Sequence, residues 1–255
     1  MKTLIPVVTA ACIAGLAAMP VRGQSVGASP ALVMLKGNVG ESTTQTLTIS
    51  NSTGQPLAFE MVAKDIVVRK GKRVWVDAGE LAGSIAVTAV FSKKTFTVEP
   101  GKPQTVDIHV TIPQRPASRA IVALFQGTTK LTAGQASVTA SLGVILMFTL
   151  SDRVTMTATP LVVQPPTASK NLTVFQHCTN NGTEPIAAKG MLAILGTGGH
   201  LIGRAPLSAH RFLPGEQVEM RTEYPGDLSP GRYRALVTYD LGGKMVTSSA
   251  DFNVK

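Results

Sequence analysis

Apolar residues recur at every second position along most of this chain, and that alternation limits its fold more than any other feature. Leu47 and Ile49 share one parity within residues 43–50, and Leu57, Phe59, Met61 and Ala63 share one in the next segment. Val106, Ile108 and Val110 repeat the pattern before Pro113. Beyond residue 23 no window shows a convincing 3.6-residue period. Strand-forming Thr and Val are abundant, and only 15% of residues are charged, against 44% hydrophobic, with 24 Gly and 16 Pro. That mixture favours strands and turns over helices. The predicted class is all-β.

Turn chemistry separates the strands. Asn51-Ser52-Thr53-Gly54 closes the segment at 43–50, and Glu99-Pro100-Gly101-Lys102 separates Phe96 and Val98 from Val106. Proline presets φ there and glycine is free to take a positive φ. Residues 32–36, 119–128 and 136–151 complete seven strands in the first half, the number expected of a β-sandwich. Ser151-Asp152-Arg153 then forms a polar break, followed by Pro160, Pro165 and Pro166, which places a domain boundary near residue 152. After it, strands are expected around Leu172 and Val174 (ending at Asn180-Asn181-Gly182) and at 191–195, 218–224, 233–239 and 244–254, with turns at Leu213-Pro214-Gly215 and Leu241-Gly242-Gly243. Ser229-Pro230-Gly231-Arg232-Tyr233 has the form of a tyrosine corner, in which a phenol hydroxyl bonds back to nearby backbone. The expected architecture is two tandem immunoglobulin-like β-sandwiches, over residues 24–152 and 153–255.

The amino end fixes the expected compartment. Lys2 precedes an apolar stretch from Leu4 to Ala18, and Val21-Arg22-Gly23 supplies small residues at the recognition positions of a signal peptidase. Residues 1–23 are therefore read as a cleavable signal peptide of an exported, periplasmic protein. Thr9-Ala10-Ala11-Cys12 only faintly resembles a lipoprotein box. Cleavage discards Cys12 and leaves Cys178 as the single thiol, so no intramolecular disulfide is available and the core must hold the fold. Cys178 ends an apolar strand pattern, the setting of a buried, inert thiol.

A search for chemistry finds none. The sequence has no nucleophile elbow, no zinc helix and no phosphate loop. His109, His177, His200 and His210 lack the spacing of metal ligands, and Gly196-Thr197-Gly198-Gly199 reads as a hairpin turn. No catalytic residue, metal, cofactor or small-molecule substrate is assigned. The formal charge of +9 falls to +7 once Lys2 and Arg22 leave with the signal, and the basic residues are scattered. The densest group, Arg69-Lys70-Gly71-Lys72-Arg73, reads as the solvated tip of a hairpin between Ile66-Val67-Val68 and Val74-Trp75-Val76. Nucleic acid is set aside as a partner for an exported chain.

The segment at 136–151 carries most information. Val138, Ala140, Leu142, Val144, Leu146, Phe148 and Leu150 share one face, and Ile145 and Met147 make the other face apolar as well. So long a strand without charge or proline is hazardous at a sheet edge and demands a cover.

Two exported sandwiches in tandem, the first closing on such a strand, resemble the PapD-like periplasmic pilus-assembly chaperones. Thr46-Leu47-Thr48-Ile49-Ser50-Asn51 and Phe96-Thr97-Val98-Glu99-Pro100-Gly101 carry the resemblance, which covers about residues 26–152 and is architectural beyond them. It implies a chaperone-like protein of a pilus or surface-fibre system that lends its final strand to a subunit lacking its own. The donated side chains would come from Val138, Ala140, Leu142, Val144 and Leu146. Pilin-like or other secreted β-subunits are the implied partners, with an outer-membrane usher as a further one. The family's basic pair for a client's terminal carboxylate falls near Leu32 and Leu146, neither of them basic. Lys36, Arg119 and Arg153 are alternatives, and the anchor stays unassigned. The competing reading is a structural or adhesive cell-envelope protein whose apolar strand is satisfied within its own sheet.

Overall fold

The computed structural model describes residues 25–128, 131–133 and 136–255, with backbone only at 131–133 and 136–138. The signal-peptide expectation at 1–23 lies outside the described residues. The strands of the first half are β1 (Val26–Ser29), β2 (Leu32–Lys36), β3 (Ser42–Asn51), β4 (Leu57–Arg69), β5 (Lys72–Asp77), β6 (Val90–Phe91), β7 (Thr95–Val98), β8 (Gln104–Thr111), β9 (Ala120–Gly127), β10 (Leu131–Ala133), β11 (Ala136–Val138) and β12 (Ser141–Thr149). Those of the second half are β13 (Met156–Ala158), β14 (Val162–Gln164), β15 (Leu172–Asn180), β16 (Ile186–Leu195), β17 (Leu201–Phe212), β18 (Gln217–Tyr224), β19 (Gly231–Asp240) and β20 (Met245–Val254). A single 3₁₀ turn at Ala86–Thr88 interrupts the strand pattern among the described residues.

Each half is a sandwich of two sheets. In the first, β1-β3-β8-β6 faces β2-β12-β9-β4-β5, with β7 taking the end of β4 that β5 leaves free. In the second, β15 lies between β18 and the short pair β13 and β14, opposite β17-β16-β19-β20. The alternation read from the sequence is the alternation of burial. Leu47, Ile49, Val106, Ile108 and Val110 are fully buried in the first core, beside Leu57, Phe59 and Met61. A second core gathers Leu172, Val174, Leu192, Ile194, Val237 and Tyr239. Each such large side chain withdrawn from water contributes about 1.5–3 kcal/mol, enough to hold a fold without disulfides.

The sandwiches reuse one corner device. Asn51 Nδ2 donates to Gln55 O and Val98 O, while its Oδ1 accepts from the Thr53 amide and hydroxyl. Asn180 Nδ2 donates to Glu184 O and Phe212 O, and its Oδ1 accepts from the Gly182 amide. A Pro-Gly turn meets each asparagine: Gly101 N bonds Asn51 O, and Gly215 N bonds Asn180 O. Both glycines hold a positive φ (72° and 78°), which the turn requires. Tyr233 Oη donates to Ser229 O at 2.8 Å, the tyrosine corner expected from the sequence.

Two expectations need correction. Among the described residues the first half carries twelve strands rather than seven, because β1 forms on the opposite sheet ahead of β2 and the short β5, β6, β10 and β11 add to the expected set. The segment at 136–151 is also not one strand. The ladder of β9 with β12 ends at Gln126↔Ser141, and β10 and β11 resume as a separate ribbon at Leu131↔Val138. Four residues of sequence separate Gln126 from Leu131 but only two separate Val138 from Ser141, so the two ladders cannot be in register with one another. Gly127 sits at the break, where an added Cβ would lie 2.0 Å from Ala140 O.

The basic hairpin tip is more than a solvated turn. Gln217 N donates to Gly71 O at 3.0 Å, and Arg73 reaches Glu216 through Nε at 2.9 Å and Nη2 at 3.0 Å. Arg73 Nη2 also donates to Arg211 O. The tip therefore clamps the first sandwich to the second. Burial works to raise the Glu216 carboxyl, but His210, Arg73 and the Leu213 amide around it outweigh burial and hold it below the usual carboxylate range. A lowered carboxylate stabilises the fold above its unfolded pKa and loses that contribution as pH falls through the lowered value. Glu216→Gln is thus expected to lower the urea midpoint at pH 7, by an amount that shrinks towards zero on acidification below pH ~4. Urea titrations of both proteins across that range check it.

Candidate functional site

β12 has two halves with different neighbours. β9 pairs with it from Ser141 to Met147, whereas β2 pairs only with Ile145 to Thr149. The cause lies at the start of the chain. β1 belongs to the opposite sheet, against β3, and the chain crosses over at Pro30 to enter β2. Proline brings no N–H to a ladder and suits the crossing. The split strand can therefore cover only the second half of β12.

Strand geometry identifies the groups left open, because the N–H and C=O of one residue point to the same side. Ile145 N donates to Ala31 O and Thr149 O accepts from Gly37 N, so odd-numbered residues of β12 face the β2 side. Phe148 N donates to Arg119 O, so even-numbered residues face β9. Ser141 and Gly143 then present their amides and carbonyls to an edge that no strand occupies among the described residues.

The five side chains expected to be donated divide along the same line. Val144 and Leu146 are fully buried in the first core, and Leu146 also stands between Ile121 and Val33 in the two ladders. Leu142 is half-buried against that core, and Ala140 is half-buried where the ladder breaks. Val138 lies on β11 opposite Leu131, and its side chain is outside the described residues. The second apolar face, with Ile145 and Met147, meets the other sandwich. Met147, Ile66, Ala120 and Val122 pack with Leu213 in a cluster that Ile145 and Leu32 flank.

A cleft of about 350 Å³ between the sandwiches is lined by Ile66, Val67, Val68, Arg119, Leu213 and Pro214, among others. Arg119 Nε lies 3.6 Å from Glu184 Oε2. Glu184 also accepts from Leu150 N at 2.8 Å and Ser151 Oγ at 3.1 Å, so it ties the connecting segment to the second sandwich. Lys36 pairs with Asp152 at 3.0 Å on the surface. Of the three alternative cations, Arg119 is the one lining the cleft.

His200, His210 and Cys178 make local contacts. His200 Nδ1 bonds Thr197 O within the Gly-rich turn, while His210 stacks edge-on against Phe212 at the far end of β17. Among the described residues no group of three His, Cys, Asp or Glu side chains could hold a metal. Cys178 is fully buried, and burial pushes its thiol up. Sequence reasoning passed over Asp65, which is fully buried on β4. Its signal was present, because Asp65 continues the inward parity of Leu57, Phe59, Met61 and Ala63.

No family model matches the chain, and no curated protein matches it. Among solved structures, it is similar to the class 5 fimbriae chaperone CfaA, with 12% identity over 91% of this chain and 99% of that one, at a TM-score of 0.47. The CsuC–CsuE chaperone–tip adhesion subunit complex of Acinetobacter baumannii gives 8% identity, 88% and 97% coverage, and a TM-score of 0.44. The E. coli chaperone DraB gives 15% identity, 91% and 98% coverage, and a TM-score of 0.40.

Proposed function

We propose that this chain is an exported, periplasmic chaperone-like protein for pilus or surface-fibre subunits, built from units at 24–152 and 153–255. It holds a client by letting the client's sheet add to the open edge of β12. The observation that carries this reading is the pair of unpartnered backbone positions, Ser141 and Gly143, flanking the half-buried Leu142. Strand addition needs such an edge for its hydrogen bonds and alternating side chains for its specificity. The contributing side chains are Val138, Ala140 and Leu142, because Val144 and Leu146 already fill the chain's own core. Pilin-like subunits are the clients, and an outer-membrane usher is the further partner of such a system.

Burial of Val144 and Leu146 favours a second reading, in which the strand serves only its own sandwich and the protein is a structural or adhesive component of the envelope. The test mixes the mature protein with a pilin-like subunit deprived of its last strand and measures the complex by size exclusion. The expected result is a one-to-one complex that Leu142→Glu abolishes, since a charge at that position opposes burial in an apolar groove. Binding unchanged in the variant would reject strand donation.

A further inference from the structure

We propose that the tip of the β4–β5 hairpin, together with Arg211, is a docking point for an acidic polypeptide segment. Two features of the tip work against the hairpin itself. Arg69 and Lys72 stand directly opposite one another, a like-charge pair that weakens the ladder. Lys70 holds a left-handed φ of 52°, the one non-glycine residue with positive φ among the described residues. A two-residue turn of this kind favours Asn before Gly, and lysine adds nothing to it. The clamp to the second sandwich runs through Gly71 O and Arg73, so the local cost of Arg69, Lys70 and Lys72 is not offset by a side-chain bond of their own and points to function.

The charge at the tip is also uncompensated. Arg69, Lys70, Lys72 and Arg211 are exposed, and none has a side-chain partner among the described residues. Glu216, the carboxylate that the hairpin reaches, is committed to Arg73. The Arg73 bond to Arg211 O brings that residue's backbone against the hairpin. The bond from Gln217 N to Gly71 O fixes the turn, so the cations are presented on an immobilised backbone. Such preorganisation strengthens charge recognition.

The setting favours a polypeptide over a lipid surface. The tip lies wedged against the second sandwich, and Val67 and Val68 just before it line the cleft between the two, whose wall mixes apolar side chains with Ser118, Arg119 and Thr183. A chain bearing Asp or Glu beside apolar residues can follow that recess, whereas a flat bilayer cannot. The inference is independent of strand donation, whose edge lies on β12.

A fluorescently labelled Glu-rich peptide with flanking Leu and Val, titrated with the full mature protein, tests it by anisotropy. The expected result is binding that weakens steeply as salt rises from about 50 to 200 mM. Lys70→Glu with Lys72→Glu should lower affinity by about tenfold or more, and Lys70→Asn with Lys72→Thr, which suits the turn, should also lose it. The remote pair Lys102→Glu with Lys244→Glu should change affinity by no more than about twofold. Equal losses from the tip and remote pairs would show only the protein's net charge at work and overturn the proposal. So would failure of the peptide to bind, or capture of the protein by phosphatidylglycerol vesicles alone. Leu142→Glu should leave peptide binding intact, which separates this result from the subunit assay.

Discussion

Asp65→Ala is expected to lower stability by about 3–5 kcal/mol, the largest single-site loss anticipated for the chain. The carboxylate is fully buried and accepts four hydrogen bonds from two separate stretches of the chain, residues 84–86 and Ser118. Ser84 Oγ reaches Oδ2 at 2.5 Å, while Ile85 N at 3.0 Å, Ala86 N at 3.3 Å and Ser118 Oγ at 2.9 Å reach Oδ1. Alanine would leave Ser84 Oγ, Ile85 N and Ala86 N in the core without that acceptor and Ser118 Oγ with Ala120 O alone, and an unmade buried bond costs more than a made one contributes. Asp65→Asn keeps an acceptor oxygen but turns one end into a donor facing donors, so it should lose a large share of the same stability. The loss should appear as a fall of about 10 °C in melting temperature. Because Ser118 precedes Arg119, loss of the Asp65 bond should also loosen one wall of the cleft between the sandwiches. A melting temperature within about 2 °C of the parent would show that the network is not holding these loops.

Ser141→Pro is expected to abolish client binding, by at least about a hundredfold, while leaving the fold intact. The amide of Ser141 points to the open edge, so removing it costs no backbone ladder bond to β9, and the substitution gives up only the exposed bond from Gly127 N to Ser141 Oγ at 3.3 Å. Proline is tolerated where a strand's N–H would face solvent, and its ring then blocks an approaching strand. Leu142→Glu probes the side-chain half of the same contact, but Leu142 also touches the core, so its melting temperature must be compared as well. If Ser141→Pro is folded and still forms the subunit complex, the edge is not where the client binds. Circular dichroism melts together with size-exclusion assays read both quantities.

Many of the strands in each sandwich, though not their full number, followed from local pattern. Leu47, Ile49, Val106, Ile108 and Val110 could be placed inward from parity, and Pro100-Gly101 and Tyr233 from turn chemistry, because each depends on a few neighbouring residues. Asp65 shows what the same pattern offered and was not used for: a carboxylate at an inward position implies a buried acceptor network. Its partners at Ser84, Ile85, Ala86 and Ser118 could not have been named, since they meet only when the loops fold back on β4. The apolar second face of β12 was legible as a face needing cover. Its cover, Leu213, comes from the other sandwich.

The alternation of side chains, and with it two β-sandwiches built on apolar cores, was written into the sequence, since a period of two is a property of consecutive residues. Which half of β12 keeps its backbone exposed was not. That depends on where a strand from the opposite end of the domain changes sheets, and hydrogen bonds between segments so distant in the chain leave no mark on the local pattern of either one.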